Sequence, residues 1–91
     1  MEKTGFIYIW YDRKRKMYYV GCHWGSEDDG YICSSKRMND AYRYRPQDFK
    51  RRIIQRGITD RKTLLEVEHK WLQFIPDKEL GKQYYNHSKK H

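Results

Sequence analysis

Two runs of β-forming residues, 6–11 (Phe-Ile-Tyr-Ile-Trp-Tyr) and 17–22 (Met-Tyr-Tyr-Val-Gly-Cys), stand on either side of five charged residues, 12–16. Aromatic and β-branched side chains favour extended backbone, and a short charged break between two such runs predicts a β-hairpin with its loop at 12–16. Side chains alternate along a strand, so the hairpin sorts its residues onto two faces. Phe6, Tyr8 and Trp10 share one face of the first strand, and Met17, Tyr19 and Gly21 share one face of the second. Tyr8 and Tyr19 can therefore stand on the same side, with Ile7, Ile9, Val20 and Cys22 on the opposite one.

Residues 23–33 read as a loop, with Gly25, Gly30 and the acidic trio Glu27-Asp28-Asp29. Ser34 or Ser35 can cap a following helix through its hydroxyl. Met38, Ala41 and Tyr42 keep helical i, i+3, i+4 spacing, which predicts a helix over roughly 36–44. Pro46 stops it, because proline disfavours helical geometry in the residue before it. A third strand is predicted over 49–55, ended by Gly57, its charged composition implying one exposed face. Thr59 or Asp60 caps a second helix over about 60–74. At ~100° per residue, Leu64, Leu65, Val67, Trp71, Leu72, Phe74 and Ile75 fall within one half of the wheel. Glu68 is the carboxylate near the centre of that arc, while Glu66 falls on the far side with Lys62, His69, Lys70 and Gln73. An acid in an apolar stripe costs free energy unless it is paired, metal-bound or set at a cleft. A functional acid and a carboxylate partnered by an arginine at the edge of a thin core both satisfy that condition.

At 91 residues the chain is predicted to form one domain, 1–91. Twenty Lys and Arg against twelve Asp and Glu leave a net charge of +8, yet 16% aromatic residues argue against a disordered basic tail. No apolar run approaches the ~20 residues of a membrane span, and the N-terminus lacks a charged-then-apolar leader. An intracellular, cytoplasmic setting with no membrane insertion is the expectation, and with it two reduced thiols, Cys22 and Cys33. Neither these cysteines nor His23, His69, His87 and His91 fit a standard zinc spacing. The positive surplus points to a polyanion: an acidic membrane, an acidic protein or a nucleic acid. Basic residues cluster at 13–16, 36–37, 43–45, 50–52 and 89–90. In Tyr42-Arg43-Tyr44-Arg45 cations alternate with planar rings, which suits phosphate contact plus base stacking. Arg43 and Arg45 are accordingly candidate nucleic-acid contacts, and a solvated basic surface around core aromatics is the competing account.

The order hairpin, helix, strand, helix, with one Tyr on each hairpin strand and an acid in the last helix, resembles the GIY-YIG nuclease family. Gly5-Phe6-Ile7-Tyr8 matches the first motif and Tyr19-Val20-Gly21 the second, with the eleven-residue step between the tyrosines typical of phage homing endonucleases. Glu68-His69-Lys70-Trp71-Leu72 matches the family's acid motif, and Tyr85-Asn86 its aromatic-Asn pair. The resemblance covers Gly5 to Asn86, and it implies an α+β fold: a small three-stranded antiparallel sheet flanked by helices, in the order β-β-α-β-α. One departure is visible. The family's Arg usually lies about ten residues beyond the second Tyr, where this chain has Asp29. A lengthened loop would move the helix start to about Ser35, making Arg37 the favoured equivalent, with Lys36 as substitute cation and Arg51 and Arg52 as further candidates.

The resemblance implies a DNA endonuclease in which Glu68 holds one Mg2+ or Mn2+ through hard carboxylate oxygen. It gives Tyr8 the deprotonation of water or the relay of its proton, Tyr19 the orientation of phosphate or nucleophile, and Arg37 the stabilisation of developing negative charge. His23 would contact phosphate or shuttle a proton, or else is a plain loop histidine. Asn86 would brace the tyrosine or metal region, or else is a turn residue. DNA is the expected partner, with RNA and branched substrates left open. Family members often carry a separate DNA-recognition domain, for which 91 residues leave no room. Low sequence selectivity, or targeting by dimerisation or by another protein, is the expectation. Phage-like mobile-element origin, and hence action in an infected cell, would suit it.

Overall fold

A computed structural model of the chain describes residues 3–87. The cations at 89–90 and His91 lie outside the described residues. The hairpin forms as predicted, with β1 Gly5–Asp12 and β2 Met17–Trp24 in antiparallel register, Tyr8 opposite Gly21 and Trp10 opposite Tyr19. Then come α1 Lys36–Tyr44, a single 3-10 turn Pro46–Asp48, β3 Phe49–Ile58 and α2 Arg61–Leu72. β3 pairs antiparallel with β1, giving a three-stranded sheet in the order β2-β1-β3.

The alternation of the hairpin becomes two cores. On the first face Phe6, Tyr8, Trp10, Met17 and Tyr19 pack with Met38 and Ala41 of α1, together with Cys33, Phe49 and Tyr85. On the second face Ile7, Val20 and Ile58 pack with Leu64, Leu72 and Ile75. Both helices begin at side-chain caps: Ser35 Oγ accepts from the Met38 N–H and Asp60 Oδ2 from the Thr63 N–H. α1 thus starts late, at Lys36, and puts Arg37 in its first turn.

Several boundaries move, each for a local reason. β2 continues through His23 and Trp24, because they complete the register opposite Phe6 and Gly5. β3 runs past Gly57, whose φ of 75° lets the chain return to the sheet so that Ile58 can bury opposite Gly5. α2 stops at Leu72; Pro76 disfavours helical geometry at Ile75, and Phe74 is left 77% exposed. Leu65 is also exposed. The helix buries only the line Leu64, Glu68 and Leu72, four residues apart, because one short helix on a narrow sheet seals a narrow stripe.

Asp12, expected in the charged loop, instead ends β1 and is fully buried. Its Oδ1 accepts from the Lys14 and Arg15 N–H groups, closing the turn. Residues 80–86 run beside β2. The Tyr18 N–H donates to the Gln83 carbonyl, and the Tyr85 N–H donates to the Tyr18 carbonyl. This strap covers an edge that would otherwise present unpaired backbone groups. Among the described residues no helix is long and apolar enough to cross a membrane.

Candidate active site

Past the β2 edge, α1 on one face of the sheet and α2 on the other leave a cleft of about 730 Å³. Tyr19, the first turn of α1 with Lys36 and Arg37, Glu68 of α2, and Asn86 and His87 of the strap line it. Five of the sequence-predicted residues therefore meet in one place: Tyr19, Lys36, Arg37, Glu68 and Asn86.

Glu68 is only 8% exposed. Its position in the stripe of α2 sets it against β2, where the Cys22 thiol hydrogen-bonds to it. Burial first, and then the Glu68 charge, push the Cys22 thiol up to about 12. Arg37 is fixed from two sides. Its Nη1 donates to the Gly81 carbonyl at 3.0 Å, and its guanidinium lies 5.3 Å from the Tyr85 ring centroid. Lys36 pairs with Asp40 at 3.0 Å along the helix. Asn86 spans the backbone of Val20, accepting from its N–H at 2.9 Å and donating to its carbonyl at 2.8 Å. It therefore anchors the strap to β2 at the residue between Tyr19 and Gly21.

Tyr8 sits behind this cleft and does not line it. Its ring is 1% exposed and 6.2 Å from that of Tyr19. Burial drives the Tyr8 phenol far above its ordinary range, and burial pushes Tyr19 up to about 12. Neither phenol ionises at neutral pH without help from a cation. Tyr19 Oη and Ser34 Oγ are 2.8 Å apart, and Tyr31 stands nearby with its ring stacked on His23. Tyr31 stands in the predicted loop and Ser34 reads in the sequence only as a candidate helix cap, so only the folded geometry places them beside Tyr19.

The remaining candidates lie elsewhere. His23 is in β2, not in a loop; its Nε2 is 2.6 Å from Asp29 Oδ2 and its ring stacks on Tyr31 at 4.1 Å. It faces a second cleft with Glu27 and Asp28. Arg45 is not available to phosphate, because two bonds to Asp12 and one to Asp48 occupy its guanidinium. Arg51 donates to the Glu27 carbonyl at 2.7 Å and lies over Phe6 and Trp10, holding the acidic loop to β3. Arg43 is exposed on α1, beside a shallow groove away from Glu68.

The donor set at the cleft bears on a metal. Among the described residues no group of three or more His, Cys, Asp or Glu is arranged to hold an ion. Glu68 offers a hard carboxylate beside an open cleft, which fits a magnesium-like ion that keeps most of its waters and shares substrate phosphate oxygens. It does not fit a closed tetrahedral zinc site. No protein-family model, curated protein sequence or solved structure matches this chain.

Proposed function

We propose that the chain is a metal-dependent endonuclease of the GIY-YIG type, acting on DNA at the β2-edge cleft. The observation that carries the reading is the meeting of Glu68, Arg37 and Tyr19 around one cleft, from three elements far apart in sequence. An acid kept in an apolar stripe, a cation held over a ring and a buried phenol form an arrangement that packing alone does not require.

Glu68 would hold Mg2+ or Mn2+. The ion would polarise the phosphate and stabilise the departing oxygen. Arg37, tethered through Gly81 and Tyr85, keeps a positive charge where the phosphate gains negative charge. Tyr19 orients the phosphate or the attacking water. Tyr8, buried behind it, does not touch the water; its ring packs beside that of Tyr19 and holds the Tyr19 phenol in position. Asn86 holds the backbone between Tyr19 and Gly21 in place. The net charge of +8 supports a polyanionic substrate.

One observation favours a second reading, a nucleic-acid-binding module without catalysis: the sealing of Tyr8 from the cleft. Incubation of supercoiled plasmid with Mg2+ or Mn2+, parent beside Glu68→Ala, separates the two. Metal-dependent nicking or linearisation that disappears in the variant supports the nuclease. Salt-sensitive DNA binding without cleavage supports the binding module. Equal residual cutting by parent and variant removes Glu68 from the site.

A further inference from the structure

The alternation of cations and rings at residues 42–45 does not survive folding as a unit. Tyr42 packs against Trp10 and Phe49, and Arg45 is occupied by Asp12 and Asp48. A comparable arrangement assembles elsewhere, from residues no local pattern connects. Tyr11 of β1, Tyr18 of β2 and Tyr84 of the strap form a row, with ring centroids 4.9 Å and 5.5 Å apart and tilts of 38° and 35°. The tilts leave the rings splayed, not sealed face to face, and Tyr18 in the middle is 38% exposed.

Strand parity puts this row on the second face, with Ile9 and Val20 and away from Tyr8 and α1. α2 covers the other end of that face around Ile7, Ile58 and Leu64. Lys50 pairs in register with Tyr11, and Arg52 pairs with Ile9, so both project on the same face. Both are exposed, and neither forms an ion pair with a described residue. Lys16, exposed in the turn, precedes Met17 and Tyr18. Glu79 is the acid close to Tyr84, and Asp12 at the end of β1 is buried against Arg45. The surroundings of the row therefore remain positive.

We propose that the Tyr11-Tyr18-Tyr84 row is a stacking platform for unpaired bases of a single-stranded nucleic acid, whose phosphates Lys50, Arg52 and Lys16 contact. A row of rings whose middle member is exposed and whose flanking members, Tyr11 and Tyr84, are half-buried, beside exposed cations, supplies the two elements that single-strand binding requires, since every base has a π-face and every linkage a charge. A duplex keeps its bases stacked internally and gains only the charge term. The platform is separate from the cleft and holds whether or not the cleft cuts DNA.

The test is fluorescence anisotropy of the full chain with a labelled oligodeoxythymidine, an abasic oligomer of equal length and a duplex, without divalent metal. The parent is expected to bind oligodeoxythymidine more tightly than the abasic strand, with affinity falling as salt rises. Tyr18→Ala should weaken oligodeoxythymidine binding by about 5- to 150-fold and leave the duplex within about twofold. Tyr18→Trp should restore binding and Tyr18→Leu should not, both with melting temperatures checked, which separates stacking from loss of fold. Lys50→Ala with Arg52→Ala should flatten the salt dependence. Plasmid cleavage is read in parallel: a parent that prefers base-bearing single strands but never cuts fails the nuclease reading alone, and a parent that cuts without that preference fails this one. Equal affinity for abasic and base-bearing strands, or equal binding by the parent and Tyr18→Leu, overturns the proposal. Absence of binding to any oligomer also overturns it and leaves the row to an acidic protein partner.

Discussion

Gly21 faces Tyr8 across the hairpin so closely that a Cβ on the glycine would lie 2.6 Å from the Tyr8 hydroxyl and 2.8 Å from Tyr19 Cε1. The glycine is therefore the space into which the buried phenol fits, and the two are a single packing unit.

Gly21→Ala is expected to destabilise the fold by about 1–3 kcal/mol, the usual cost of forcing extra volume into a packed core. Urea unfolding should show a lower midpoint with an unchanged slope. Adding Tyr8→Phe should recover part of the loss, because the 2.6 Å contact goes while a 2.8 Å contact to Cζ remains. An alanine variant as stable as the parent would mean that Tyr8 has another place to go.

Asp12 couples the hairpin turn, the end of α1 and the strap. Besides the turn amides it accepts from Arg45 Nη2 at 2.8 Å and from the Tyr85 hydroxyl at 2.6 Å. Burial alone would raise its carboxyl, but the Arg45 and Tyr85 hydrogen bonds outweigh burial and hold it well below the ordinary range. The folded state thus keeps the carboxylate ionised after the unfolded chain has taken up its proton. Its contribution is complete above the unfolded value near ~4 and is lost as the pH falls further. Asp12→Asn should cost about 3 kcal/mol at neutral pH, since it leaves the Arg45 charge incompletely paired. The difference between parent and variant should shrink between pH 6 and pH 2 in urea midpoints. A constant difference would assign the cost to shape alone.

Much of this architecture is legible in the sequence where the determinant is local. The period-two pattern of the hairpin sorts both cores, the Ser34-Ser35 pair places the start of α1, and the helical wheel singles out Glu68 from Glu66. What escapes are partners brought together by the chain's return. Arg45 reads as a free cation because Asp12, its partner, stands 33 residues earlier. The strap at 80–86 has no alternation to announce it; it is held by backbone bonds to Tyr18 and by one asparagine. The depth of Tyr8 relative to Tyr19 is equally hidden. Both share a face, and only the sheet order, with β1 central and β2 at the edge, makes one sealed and the other open to the cleft.

Arg37 is exposed and contributes little burial, so its role separates cleanly from folding. Under the nuclease reading Arg37→Ala should lower the plasmid-nicking rate about 10²- to 10³-fold, the scale of losing one preorganised charge donor. The melting temperature should stay close to the parent's. Arg37→Lys should restore part of the rate, because a lysine keeps the charge and loses the planar fork. An unchanged rate in Arg37→Ala would pass the role to Lys36, which lines the same cleft.

The two cysteines give a probe of Glu68 that needs no substrate. Cys22 packs with the second-face core and Cys33 belongs to the first-face core, so the sheet separates them and no disulfide should form under air oxidation. Cys22 is held protonated by burial and then by the Glu68 charge, with its thiol near about 12. The thiolate is the nucleophile, and its fraction changes tenfold for each pH unit between solution and pKa. Alkylation of Cys22 by iodoacetamide at pH 8 should therefore be slow, and its rate should climb tenfold per pH unit to beyond pH 10. Glu68→Gln removes the negative charge, lowers the Cys22 pKa and should accelerate labelling several-fold at pH 8, followed peptide by peptide in the mass spectrometer. A divalent cation held at Glu68 should act in the same direction by screening that charge, so Mg2+ should speed labelling in the parent and not in Glu68→Gln. If Mg2+ leaves the parent's rate unchanged while Glu68→Gln raises it, the carboxylate lies beside the thiol without holding the ion, and the nuclease reading would then require a metal that binds only together with the nucleic acid.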